Sequence, residues 1–373
     1  MRPLEGVRVV DFSTLLPGPM AGLILAEAGA EVIKVERPKV GEDARYNIPR
    51  FGDDASVNFA LLNRGKRSVA VDLKDPDSVE AMKRLIASAD IVLEQFRPGV
   101  MDRLGLGYEA LREVNSSLIY CAITGYGQSG PKANFAAHDL NYVADTGLLG
   151  LAADRTGAPV VPHALVADIG GGTMPAVISI LLALRVAEKT GEGAFLDVSM
   201  TDNLFAWEYW ATGIVDVGEE APAPASGRVS GGSARYQVYQ AKCGRWLAVA
   251  PLEDRFWSIF TRLIELEPEF IDDAPHPMAT RDRVAEILGG RTAEEWMATF
   301  DGHDVCVNVV RTIAEAKADP HFAARGIFAG EISDGKNTLV PIPPPFAPAL
   351  RDTSITASYP GLGQDNDLLE GKG

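Results

Sequence analysis

The sequence predicts an α/β protein built on a doubly wound parallel sheet, and three observations carry that expectation. A strand–helix–strand unit fills the first 36 residues. Strand-like apolar runs then alternate with helical stretches over the first 125 residues, the pattern of a sheet covered on both faces. Arg37, Arg97 and Arg103 each fall just after a strand, at the edge where open α/β sheets bind ligands.

Residues 7–12, VRVVDF, read as a buried strand. The turn STLLPGP follows, then an apolar helix from Met20 to Ala28 ended by Gly29, then a strand from Glu31 to Glu36. Such a unit implies a parallel pair joined by a right-handed crossover. It lacks GxGxxG, so it is not a standard dinucleotide fingerprint, and alone it reads as a plain α/β unit. Residues 39–60 are loop-like. A strand from Ser68 to Leu73 lies among Arg64, Lys66, Arg67 and Lys74. Asp75 to Ala89 is an amphipathic helix capped by Asp75 or Asp77. IVLEQF, residues 91–96, is a further strand, and Arg97-Pro98-Gly99 turns into a short helix containing Arg103. Leu118 to Ile123 is another strand, followed by the glycine-rich loop TGYGQSGP, residues 124–131.

The apolar run from Met174 to Leu184 is too short to cross a membrane and suits a buried helix. AFLDVSM is a strand, and Thr201 to Gly213 a helix. The aromatic segment Trp207 to Trp210 is expected to pack a core, with the lining of an acyl pocket as the alternative. Residues 218–233 have the composition of a linker. Strands at 236–240 and 245–250 follow, with helices from Asp254, Asp282, Thr292 and Ile313. The proline run at 341–348 is extended. The expected division is a large α/β domain over 1–200, a linker helix and loop over 201–233, a small α+β domain over 234–325 and a C-terminal segment over 326–373.

A chain of 373 residues suggests two domains at ~150 residues each. A net charge of −16 argues against nonspecific binding to nucleic acid or acidic membranes, though not against a polyanionic small ligand meeting a local patch. Cys121, Cys243 and Cys306 are scattered, and the five histidines show no HExxH spacing, so neither a disulfide framework nor a metal site is expected. The apolar run from Leu15 to Ala28 is broken by Pro17, Pro19 and Glu27 and does not read as a signal peptide. A soluble cytoplasmic protein without membrane insertion is expected.

Two ionisable residues stand out between Thr124 and Gly172. Asp168 precedes Gly170, Gly171, Gly172 and the apolar helical run. Glycines permit close backbone approach, and the positive end of a helix favours a carboxylate, so Asp168 reads as an active-site residue or as a plain helix cap. His138, in HDLNY, reads as its acid–base partner or as a satisfied structural residue, and the glycine loop beside it favours a site. Arginines at the sheet edge can grip phosphates by bidentate, charge-assisted bonds. Glu253 reads locally as a surface carboxylate before Asp254, a helix cap.

HDLNY, the VADIGGG turn, the opening VRVVDFSTLLPGPMAGLILAEAGAEVIKVERP and RPGVMDRLGLGYEAL together resemble the family III CoA-transferase superfamily, and within it the α-methylacyl-CoA racemase branch. The resemblance runs from Leu4 to about Gly363 and is weakest over 205–230 and 260–300. It implies a Rossmann-like large domain to which the C-terminal segment returns, and a homodimer whose subunits interlock. It implies CoA at the sheet edge, held by Leu15, Leu16, Arg37, Val71, Asp72, Leu73, Lys74, Gln95, Phe96, Arg97, Arg103 and Asp139. It also implies a catalytic set of His138, Asp168 and Glu253. The expected reaction is inversion at the α-carbon of a 2-methylacyl-CoA thioester, with CoA as part of the substrate and no separate cofactor. His138 and Asp168 would flank the α-carbon, Glu253 would orient or balance His138, and amides of the Gly170–Thr173 turn would meet the enolate oxygen. The rival reading is CoA transfer between carboxylic acids, with Asp168 as the nucleophile.

Overall fold

The computed structural model describes residues 2–154, 156–351 and 358–371. They form two compact units: Met1–Thr146, Pro162–Trp207 and Pro320–Gly373 in the first, Gly147–Val161 and Glu208–Asp319 in the second. The segment Gly147–Val161, which the sequence division placed with the large domain, groups with the second unit.

The first unit is built on six parallel strands: β1 (Arg8–Asp11), β2 (Glu31–Glu36), β3 (Arg67–Ala70), β4 (Ile91–Glu94), β5 (Ile119–Thr124) and β6 (Ala194–Ser199), in the order β3-β2-β1-β4-β5-β6. β1 to β5 are almost wholly buried, which is why they read as unbroken apolar runs rather than as alternation. Val9 sits between Val32 and Ile91. Winding proceeds outward from β1 through β2 to β3, then returns to β4 on the other side of β1. The crevice at the carboxyl ends of β1 and β4 is therefore the switch point of the sheet. Val10, Ile33, Val92 and Tyr120 on one face meet Met82 and Ile86 from helix α2 (Pro76–Ile86). The Asp75 carboxylate accepts from the Ser78 N–H at 3.1 Å, so Asp75 and not Asp77 caps that helix. Helix α1 (Pro17–Glu27) opens on Pro17 and Pro19, where a missing N–H costs nothing, so it begins earlier than Met20.

Helix α3 spans Asp139–Asp145, α4 Met174–Thr190, α5 Met200–Leu204 and α6 Tyr209–Asp216. The expected buried helix is buried on one face only. Ala176, Val177 and Ile180 pack inward, but Ile178 is 58% and Leu182 65% exposed, with Leu181 and Val186 beside them. The continuous helical stretch Ala167–Thr190 has the length and composition of a membrane span, yet its inner face packs on β5, β6 and α1. The predicted helix over Thr201–Gly213 is two helices with a break between Leu204 and Tyr209. Trp207 in that break and Tyr209 are exposed, so the expected core packing of this aromatic segment does not hold for these two rings.

The second unit carries an antiparallel sheet of β7 (Gln237–Gln240), β8 (Trp246–Val249) and β9 (Val307–Val309), with β8 in the middle. Helices α7 (Asp254–Leu263), α8 (Pro277–Leu288) and α9 (Ala293–Phe300) cover it, and Trp257, Phe260, Trp296 and Phe300 fill a core of its own. α8 begins at Pro277 rather than Asp282, proline again taking the first turn.

Candidate active site

His138 and Asp168 are placed by two local structures in the first unit. His138 is the residue before α3, in extended conformation at φ −131° and ψ 175°. Its N–H donates to Asn141 Oδ1 at 3.0 Å, and its carbonyl accepts from the N–H groups of Asn141 and Tyr142. The Tyr142 hydroxyl donates to the Ala137 carbonyl at 3.0 Å. Gly125 of the glycine loop lies so close to the Tyr142 ring that a Cβ there would come within 2.5 Å of it. The HDLNY residues thus fix the backbone around His138 and leave its imidazole exposed.

Asp168 sits in a turn of π-helix, Ala167–Thr173, that runs directly into α4. Such wide turns inside α-helices are often functional. Asp168 is the second residue of this turn, whose cap position is Val166, and α4 begins after Thr173, so the plain-cap reading does not hold. The turn is clamped from several sides. A Cβ on Gly171 would stand 2.3 Å from the Met200 carbonyl oxygen, so only glycine fits there. Asn203 Nδ2 donates to the Gly171 carbonyl at 2.9 Å, and the Thr173 hydroxyl to the Pro17 carbonyl at 2.8 Å. Gly170 to Thr173 are all buried. The turn is covered, and the role expected for its amides as donors to a substrate oxygen has no open face in this chain.

Asp139 joins the two structures. Its carboxylate is 6% exposed, and its Oδ1 accepts from the N–H of Ala167 at 2.7 Å and of Asp168 at 2.9 Å. The resemblance placed Asp139 with the CoA-binding residues; in this chain its carboxylate is engaged by the Asp168 backbone. The Asp168 carboxyl is pushed up to about 6, first by burial and then by the Asp139 charge, with His138 opposing. The Tyr142 hydroxyl is raised by burial and by the same two carboxylates.

The sheet edge gathers the other predicted positions. Leu15 and Leu16 follow β1, Arg37 follows β2, Val71 to Lys74 follow β3, and Gln95, Phe96 and Arg97 follow β4. These four strands are neighbours, so one edge carries all of them. Arg103 ends the short helix Val100–Arg103 just beyond. Gln95 Oε1 accepts from the Gly18 N–H at 3.0 Å and ties the β1 and β4 loops across the switch point. Leu15 holds a φ of +65° and is half exposed, its N–H donating to Glu42 Oε1 at 2.7 Å. Beneath it lies a buried ionic cluster. Lys34 pairs with Glu42 and donates to the Ser13 carbonyl at 3.0 Å. Lys66 pairs with Asp11 at 3.0 Å. Burial alone would raise the Asp11 carboxyl, but Lys66 and Lys34 hold it below its ordinary value.

The arginines differ from one another. Arg97, Arg103 and Lys74 are exposed and form no ion pair among the described residues. Arg37 is paired with Asp43 and donates to the Gly41 carbonyl at 3.0 Å, so a phosphate there would compete with a carboxylate. Glu253 belongs to the second unit, at the cap position of α7, where its carboxylate makes no capping bond. Asp254, the expected cap, lies inside the helix and pairs with Arg235 at 2.6 Å. Among the described residues no group of three or more acidic, His or Cys side chains is placed to hold a metal ion.

Sequence reasoning missed Glu42 and Asn203, whose partners lie 27 and 32 residues away and leave no local signal. It read Asp139 only through the resemblance, although the residue stands beside His138.

The family model described as CoA-transferase family III matches residues 4–366. The human α-methylacyl-CoA racemase is 33% identical over 98% of this chain and 92% of its own length. The succinyl-CoA–L-malate CoA-transferase alpha subunit of Chloroflexus aurantiacus is 34% identical over 97% of this chain and 86% of its own. A crystal structure of a CAIB/BAIF family protein from Brucella suis superposes with a TM-score of 0.84 at 28% identity, covering 100% of this chain and 99% of that one. Racemase and transferase relatives stand at similar identity, so the comparisons do not separate the two activities. The chain belongs to CoA-transferase family III and is an enzyme of that family.

Proposed function

We propose that the protein is a racemase that inverts the α-carbon of 2-methylacyl-CoA thioesters. The observation that carries this reading is the pairing of His138 with an Asp168 whose carboxyl is raised to about 6. A carboxylate at its ordinary value is a weak base toward a carbon acid. One raised toward the working pH serves both as base and, once protonated, as acid.

Asp168 takes the α-proton from one face, the C–H electron pair moves into the thioester as an enolate, and protonated His138 returns a proton on the other face. The reverse direction exchanges the roles. The enolate oxygen needs donors, and with the glycine turn buried we assign that role to the Asp139 and Leu140 N–H groups beside His138. CoA lies along the carboxyl edge of the sheet, its phosphates drawn by Arg97, Arg103 and Lys74, which pair with no carboxylate among the described residues.

The protein acts as a homodimer in this reading. The stripe Ile178, Leu181, Leu182 and Val186 runs along one side of α4, and a second copy would remove it from water.

The second reading is CoA transfer between carboxylic acids, favoured by relatives of that activity at 34% identity. There the Asp168 carboxylate attacks the thioester carbonyl and CoA leaves as a thiolate, which then attacks the aspartyl carbonyl of the mixed anhydride, expelling the donor carboxylate and leaving an aspartyl thioester. Proton NMR of one pure 2-methylacyl-CoA enantiomer in D₂O separates the two. Loss of the α-proton signal with growth of the other enantiomer, no acid added, is the expected result. An inert α-proton, with CoA passing to an added acid, overturns it. His138→Ala abolishes exchange by about a hundredfold or more under the racemase reading and spares transfer under the other.

A further inference from the structure

We propose that Asp139 is a positioning residue that fixes Asp168 against His138 and, by its own negative charge beside it, makes the Asp168 carboxylate a stronger base. The inference rests on the racemase reading and extends it to the residue that makes Asp168 fit for its role.

Asp139 is joined to His138 by one peptide bond. Its carboxylate holds the amides of Ala167 and Asp168, at 2.7 and 2.9 Å, across 28 and 29 residues of sequence. One short side chain therefore sets the distance between the two reacting groups, and neither needs the other for its placement. The carboxylate is almost wholly buried, so these bonds are not exchanged for water.

The same contact changes the electrostatics. Two N–H groups at the start of a helical segment would otherwise stabilise a nearby anion and lower its pKa. Here Asp139 occupies them, so they are withdrawn from Asp168. A second negative charge beside Asp168 disfavours its ionised form. The other groups facing Asp168 are His138, which opposes this effect, and Tyr142, neutral at working pH. Burial alone raises the Asp168 carboxyl; Asp139 adds to it.

Asp139→Asn tests the charge with the acceptor oxygen kept. The acid limb of kcat/KM moves to lower pH, and kcat falls roughly three- to tenfold as the base weakens. Asp139→Glu keeps the charge and holds the limb near its wild-type place. Asp139→Ala loses the clamp as well, and kcat falls about tenfold or more while KM changes little. Carbon-13 NMR of aspartate-labelled protein reads the Asp168 titration directly, with Asp168→Ala identifying its signal. It is expected near 6 in the wild type and lower in Asp139→Asn. An unmoved Asp168 titration in folded Asp139→Asn overturns the proposal, as does a limb displaced equally in the Asn and Glu variants. Should Asp139→Asn fail to fold, Asp139→Ser, also a neutral acceptor, takes its place in the same titration. The NMR titration needs no turnover. A wild type that exchanges no α-proton would sink the racemase reading while the titration still decides the role of Asp139.

Discussion

Asp168 is poised at a cost to the fold. A carboxyl raised from 3.8 to about 6 binds its proton more tightly in the folded than in the unfolded chain. Its contribution to stability is therefore favourable at low pH and is lost as pH rises through about 6. Asp168→Asn removes that penalty: the variant melts higher than wild type above pH 6, by an amount of order 1 kcal/mol after allowing for solvent access, and the gain fades toward pH 4. Thermal melts of both proteins at pH 4.5 and 7.5 check this, and a gain of equal size at both pH values would count against a raised carboxyl. Activity has the opposite dependence. Under the racemase reading, Asp168⁻ with His138⁺ and protonated Asp168 with neutral His138 carry the same number of protons, so both enantiomers draw on one protonation state of the pair. Their kcat/KM values fall together below about pH 6, and pH profiles measured from each enantiomer must overlie. His138 and Asp168 could be picked out in the sequence because an ionisable residue beside glycines is visible locally. The action of Asp139 could not, because its partners are amides that carry no residue-type signature.

At the scale of elements, the π turn is the part of the site least visible in sequence. Three glycines in a row read as a loop, whereas in the structure they let a helix pass against the backbone at Met200. Gly171→Ala forces a methyl group into a carbonyl oxygen that cannot yield as a side chain would. A loss of about 2–3 kcal/mol in stability follows, seen as a lowered Tm, together with loss of activity. Gly213→Ala, where a Cβ meets nothing within 4 Å, is the matched control and leaves Tm nearly unchanged. The strands were legible because β1 to β5 are buried on both faces and their apolar runs stop where the chain turns. The run at α4 obeys the same rule for its inner face, but an apolar run does not reveal what covers each side. The exposed Ile178 and Leu182 were therefore read as core.

At the scale of the whole molecule, the doubly wound sheet followed from alternation of elements, and the second unit from the composition change near residue 218. The excursion of Gly147–Val161 into the second unit had no such marker, since no shift of composition accompanies it. The apolar side of α4 bears on assembly. If a second copy covers it, Leu182→Glu yields monomers in sedimentation velocity with the secondary structure retained, whereas wild type sediments as a dimer; a monomeric wild type would remove that reading. The buried ionic cluster has a consequence for how this protein can change. Asp11, Lys34, Glu42 and Lys66 come from four separate stretches of chain, yet they satisfy one another around the loop that holds Leu15. Exchanging any one of those stretches with a relative that differs at its charged position strands a buried ion. Loop grafts at this edge will therefore succeed only when the four positions travel together, and single-segment chimeras will fail to accumulate as folded protein.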